Sequence, residues 1–166
     1  MIGSPLVAKV VSGGQTGVDE AALRVALVLG IPHGGWCPRG RINELGVISS
    51  QFCLSETASA ESDQRTEWNV RDSDATLILS RAPRLQGGTE LTEKFAKAWN
   101  RPCYVVTGER KGSSEEIRKL LTRNPIRTLN IAGPRESEDP GIGSWAQDIL
   151  LKGLTIEISH SGKHET

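Results

Sequence analysis

The sequence predicts an α/β domain, a mainly parallel β-sheet with helices packed on both of its faces. Two observations carry that expectation. Short runs rich in β-branched residues alternate with segments whose apolar residues recur at helical spacing, the pattern of strand–helix–strand units. The chain has 166 residues, enough for one hydrophobic core and short for two.

Residues 7–12 carry Val7, Ala8, Val10 and Val11 ahead of Gly13, the unbroken apolar character of a buried parallel strand. From Val18 the apolar positions fall at 18, 21, 22, 25, 26 and 29, one face of a helix, with Gly30 placed for a left-handed cap and Pro32 beyond it. Residues 31–59 read as one long irregular loop, dense in Gly and Pro. A loop of that length in a small domain is functional or disordered, and Trp36, Arg39 and Arg41 favour function. A polar helix follows over 60–73, then a strand over 75–80 ("ATLILS") and a helix over 89–100. The pattern continues with a strand over 102–108, a helix over 113–124 capped by Ser113 or Ser114, a strand over 126–133 and a closing helix over 143–153. The domain is expected over 1–155, with a flexible tail over 156–166.

Composition narrows the function. Twenty basic residues balance twenty acidic ones, so no global field draws nucleic acid or an anionic membrane surface, and an anionic ligand needs a local site. No apolar stretch approaches the roughly 20 residues of a membrane span, and the N-terminus lacks the pattern of a secretory signal. Cys37, Cys53 and Cys103 are odd in number and widely spaced, which fits reduced thiols in a cytoplasm. With three histidines, two of them in the tail, no His-rich metal site is expected.

In open parallel sheets, ligands bind beyond the carboxyl ends of the strands, and there this sequence places its unusual residues. Gly13-Gly14-Gln15-Thr16-Gly17 follows the first strand, Gln86-Gly87-Gly88-Thr89 the second, and Gly133-Pro134-Arg135-Glu136-Ser137 the last. Glycines admit close backbone approach, and the free N–H groups of the helices that follow favour an anion. Either pair alone reads equally as a tight turn; two on one sheet edge favour a phosphate. Thr16 and Thr89 either cap helices or donate to a phosphate oxygen, and Asp19 either complements the helix dipole or contacts the ligand. Arg65 and Asn69 share a helix face and suit an anion clamp. Trp36 and Arg39 suit stacking on a flat ring, with loop packing as the alternative for Trp36. Cys37 reads as a small buried hydrophobe. Glu90 and Glu93 either act as general bases or complement a helix N-terminus.

Taken together, "SGGQTGVDEAAL", "GIPHGGWCPRGR", "RTEWNVRDSDATLIL", "GGTELT" and "LNIAGPRES" resemble the molybdenum cofactor carrier family. That family is similar to the wider lysine-decarboxylase-like and cytokinin-activating phosphoribohydrolase-like superfamily. The resemblance implies a single-domain, three-layer Rossmann-like fold, a homo-oligomer of two or four copies, and a phosphorylated ligand at the carboxyl edge of the sheet. The implied ligand is molybdenum cofactor, a pterin with a terminal phosphate and a dithiolene-bound metal. Gly13, Gly14, Gln15, Thr16 and Gly17 match the family's first phosphate-side loop, and Gly87, Gly88 and Thr89 its second. The phosphoribohydrolases resemble Pro-Gly-Gly-x-Gly-Thr-x-x-Glu with a catalytic Glu; here Thr92 stands in that place, and no pyridoxal phosphate signature is present.

The reading is therefore a cytoplasmic protein that binds and carries or stores molybdenum cofactor, or a related phosphorylated pterin or nucleotide. The glycine loops grip the phosphate, Arg39, Arg65 and Arg135 assist, and Asp19 and Asn69 meet polar edges of the ligand. No protein-held metal, nucleic-acid partner or membrane is expected. The alternatives are a nucleoside monophosphate hydrolase using Glu90 or Glu93, and a nucleotide sensor.

Overall fold

The computed structural model describes residues 3–108 and 112–156; all but the first residue of the 156–166 segment lies outside them. The elements run β1 (Lys9–Val11), α1 (Val18–Leu29), β2 (His33–Gly34), β3 (Trp36–Cys37), β4 (Ile42–Asn43), β5 (Gly46–Val47) and β6 (Ser55–Glu56). They continue with α2 (Ser62–Arg71), β7 (Ala75–Ser80), α3 (Gly87–Ala98), β8 (Cys103–Thr107), α4 (Ser113–Arg123), β9 (Thr128–Ala132) and α5 (Ile142–Gly153). Five strands form one parallel sheet in the order β2-β1-β9-β7-β8. This is the expected α/β, Rossmann-like architecture.

The two faces of the sheet differ chemically, and the difference positions the site. Leu77 and Leu79 of β7 and Leu129 and Ile131 of β9 point into the main core. There they meet Val18, Ala22 and Val25 of α1, Ile117 and Leu121 of α4, and Ile142 and Leu150 of α5. Alternation along the strands sends Thr76 and Asn130 to the opposite face. They are register partners, and the Asn130 side-chain amide donates to the Thr76 hydroxyl at 3.1 Å. The α2–α3 pair covers that face with few apolar residues: Asn69 and Val70 are buried on α2, and Thr89, Thr92 and Ala96 on α3. Apolar packing holds one side of the sheet; on the other, buried Ile78 and Val70 share the layer with Thr76, Asn130, Asn69, Thr89 and Thr92.

Three sequence expectations need correction. Residues 31–59 are not irregular. β2 joins the main sheet, β3 pairs in parallel with β6, and β4 pairs antiparallel with β5. Arg41, held at φ 52°, fastens this segment by donating to the carbonyls of Leu54, Ser49 and Phe52, each at 3.0 Å. A second small core of Leu23, Cys37, Ile48 and Phe52 lies beneath it. Cys37 is fully buried, which raises its thiol pKa. Next, α3 begins at Gly87, not at residue 89, so Thr89 is an interior first-turn residue and Gln86 occupies the cap position. Finally, α4 is preceded by Gly112 in the left-handed conformation, φ 113°. Ser113 opens that helix and does not cap it.

Among the described residues, no helix is long and apolar enough to cross a membrane.

Candidate functional site

A cavity of about 330 Å³ lies at the carboxyl edge of the sheet, between the β1–α1 loop, α2, the start of α3 and the segment after β9. Gly13, Gln15 and Asp19 line it from the first loop, Arg65 and Asn69 from α2, and Gly87, Gly88 and Thr89 from α3. Arg135 and Glu138 form its outer lip. The first N–H groups of any helix lack intrahelical carbonyls. Here the Thr89 N–H turns back to the Gln86 carbonyl at 3.1 Å, and the glycines ahead of it bring bare backbone to the cavity wall.

At the centre is a buried ion pair. Arg65 Nη1 donates to Asp19 Oδ2 at 2.8 Å, with side chains 13% and 6% exposed. The same carboxylate oxygen accepts the Gln15 N–H at 3.2 Å. Burial pushes the Asp19 pKa up, and Arg65 opposes that rise by favouring the carboxylate. Gly13 makes the pair possible: a Cβ there would lie 1.8 Å from Arg65 Nη1, so the guanidinium lies directly over the loop backbone. Arg65 Nε is buried without a hydrogen-bond partner. Arg65 lines the polar cavity, and its positive charge favours an anion there.

Residues 10–154 match the circularly permutated YpsA SLOG family. The chain belongs to that family. It is also similar to a solved structure, the "Putative molybdenum carrier protein" from Syntrophus aciditrophicus SB, at 40% identity and a TM-score of 0.85. The alignment covers 91% of this chain and 97% of that one. No curated protein matches.

Within this SLOG-family chain the expected site residues divide sharply. Gly13, Gln15, Asp19, Arg65, Asn69, Gly87, Gly88, Thr89 and Arg135 meet around the cavity. Asn69 is largely committed to structure, since it accepts the Trp36 N–H at 2.7 Å and donates to the Trp36 carbonyl at 2.9 Å. Gly14, Thr16, Gly17, Trp36 and Arg39 do not line the cavity. Gly14, at φ 78°, faces the side chains of Leu54 and Ile48. Gly17 packs against the backbone of Pro134 and Arg135, where a Cβ would approach the Pro134 carbonyl to 2.4 Å. Trp36 sits edge-on to Trp68 and donates its indole N–H to Asp72 at 2.8 Å, so its ring braces α2. Arg39 is exposed.

The Thr16 hydroxyl donates to the Glu44 carboxylate and accepts the Glu136 N–H at 3.1 Å. Glu44 also takes the Ser137 hydroxyl and the Ser137 N–H. These bonds hold its carboxyl below the usual carboxylate range, the Ser137 hydroxyl contributing most. A lowered folded-state pKa means that the stabilisation is present above the unfolded value and is lost as pH falls through the folded one. Thermal unfolding of the wild type is therefore expected to lose more Tm between about pH 6 and about pH 3.5 than that of Glu44→Gln. Parallel Tm–pH curves would remove Glu44 from this role.

The carboxylates considered as bases lie elsewhere. Glu90 and Glu93 are exposed on α3 and do not line the cavity, and Glu90 pairs with Lys94 at 3.1 Å. Thr92 does line it, donating its hydroxyl to the Gly88 carbonyl at 2.9 Å. Sequence reasoning missed Asn130, Ser62, Asp63 and Glu138 as lining residues. Of these only Asn130 left a legible signal, a polar residue in the apolar run "TLNIAG" where a strand reaches its carboxyl end.

Proposed function

We propose that this protein binds a phosphorylated ring compound in the carboxyl-edge cavity and carries or stores molybdenum cofactor there without turning it over. The observation that carries the reading is Arg65. It is a largely buried cation with an unsatisfied Nε, seated over Gly13 and lining the same cavity as the first-turn glycines of α3. A phosphate placed there would meet a guanidinium and helix N-terminal N–H groups together. The volume is near the lower end of the roughly 300–1,000 Å³ of small-molecule pockets, which suits a single phosphorylated ring.

One further observation favours carriage over hydrolysis. Thr92 occupies the place where the phosphoribohydrolases have their catalytic glutamate, and a hydroxyl does not serve as a general base at neutral pH. The molybdenum would be cargo, coordinated by the sulfurs of its own pterin. The 40%-identical neighbour, named as a molybdenum carrier, is in keeping with such a cargo.

The test is native mass spectrometry of the purified chain with metal analysis and a denaturing extraction of anything bound. Co-purifying molybdopterin or molybdenum near one equivalent is the expected result. A bound nucleotide, or release of free base from nucleoside monophosphates, would overturn carriage and move the assignment to nucleotide chemistry.

A further inference from the structure

Two arginines line the cavity, Arg65 and Arg135, and each already holds a carboxylate. Asp19 is buried against Arg65 and also accepts the Gln15 N–H, so it stays. Glu138 is held differently. Its Oε1 lies 3.3 Å from Arg135 Nε, and its Oε2 accepts the Arg135 N–H at 3.1 Å. The Arg135 and Glu138 side chains are 45% and 42% exposed. The same Oε1 lies 3.7 Å from where a Cβ on Gly87 would stand. The carboxylate therefore reaches from Arg135 to the opening of α3, where N–H groups without intrahelical partners favour an anion. The backbone that carries it is fixed on both sides. Arg81 donates from Nε to Asp139 at 2.9 Å and from Nη2 to the Pro140 carbonyl at 2.8 Å. Ser137 is bound to Glu44, and Glu136 accepts the N–H groups of Gly141 and Gly143. An exchange at this lip is thus a movement of the Glu138 side chain alone.

We infer that Glu138 is a resident anion of the ligand site, displaced from Arg135 by the ligand's phosphate and returning when the ligand leaves, an inference that rests on a phosphate occupying the carboxyl-edge cavity. Phosphate and carboxylate ask the same of an arginine, charge-assisted N–H···O bonds. Two anions beside one guanidinium also repel each other, so the phosphate gains Arg135 as Glu138 gives it up. The exchange is cheap because an exposed ion pair is weak; it lowers the affinity by no more than about fivefold. In the empty state the pairing keeps Arg135 at the cavity lip. When the ligand is handed on, a tethered carboxylate takes its place on the cation. The two arginines then divide the work: Arg65 is a fixed cation behind the glycine loop, and Arg135 is an exchangeable one at the mouth.

The experiment is anaerobic calorimetric titration of molybdopterin into the full wild-type chain, Glu138→Ala, Arg135→Ala and the double variant. Glu138→Ala is expected to bind about three- to fivefold more tightly than the wild type, a gain that removing a merely structural residue does not give. Arg135→Ala is expected to bind more weakly. Adding Glu138→Ala to it should change the affinity by less than about twofold, because no cation is left to contest. Unchanged or weaker binding by Glu138→Ala, or an equal gain with and without Arg135, overturns the inference and leaves carriage standing. A wild type that takes up no molybdopterin overturns carriage instead, and inorganic phosphate titrated into the same proteins then decides the inference. The same pattern of affinities supports it; any other result, no binding included, overturns it.

Discussion

Replacing Arg65 with Met is expected to lower the unfolding free energy by about 3–5 kcal/mol and to abolish retention of a phosphorylated ligand. The loss is large because the substitution leaves Asp19, 6% exposed, as a buried carboxylate without its cation. Against a typical domain stability of about 5–15 kcal/mol, the variant is near the edge of folding. The pH dependence carries the sign. Burial already raises the Asp19 pKa, and Arg65 is the main influence pulling it back, so removing Arg65 raises it further. A raised folded-state pKa gives stability that is full below the unfolded value and is lost as pH rises through the folded one. The deficit should therefore be smaller near about pH 5 than near about pH 8, where the uncompensated carboxylate must ionise. Adding Asp19→Asn to Arg65→Met should recover much of the stability and none of the binding. Urea unfolding at both pH values checks this; equal deficits with no recovery in the double variant would show that the pair is energetically inert.

That pair also marks the boundary of what could be read beforehand. The alternation of elements, the helix over Val18–Leu29 and the all-buried strand Ala75–Ser80 follow from local periodicity, and periodicity is legible in one dimension. So was the gathering of the glycine loops at one edge, because parallel topology puts the carboxyl ends of the strands together. The partner of Arg65 was not legible. Helix spacing joined it to Asn69, whereas its closest contact is Asp19, 46 residues away. Thr16 shows the same limit: its hydroxyl is committed to Glu44 and to the N–H of Glu136, groups that only the tertiary fold brings near. The segment 31–59 looked irregular because its strands are two residues long, too short to express a period. Its order comes from Arg41 gathering three carbonyls, a long-range arrangement with no local pattern.

Gly13→Ala is expected to weaken binding of molybdopterin about 100-fold or more, equivalent to about 2.7 kcal/mol, through Arg65. The backbone of Gly13 is outside the left-handed region that disfavours side chains, so alanine is conformationally acceptable there. The obstacle is steric and specific: the new Cβ would meet Nη1 at 1.8 Å, Cζ at 2.8 Å and Cδ at 2.9 Å, all of Arg65. The guanidinium must therefore leave its seat over the loop and, with it, Asp19. In an Arg65→Ala background the three clashing atoms are gone, and the stability effect of the same substitution should shrink to a few tenths of a kcal/mol. The cycle should then give a coupling of about 2–3 kcal/mol. Gly17→Ala is the control, because its Cβ would strike the Pro134 carbonyl and the Arg135–Glu136 backbone from a position with φ 76°. Truncating Arg65 gives that clash no relief. If Gly13→Ala were equally damaging in both backgrounds, the glycine would be required by the turn itself, and the placement of Arg65 as the anion-facing cation would lose its structural basis.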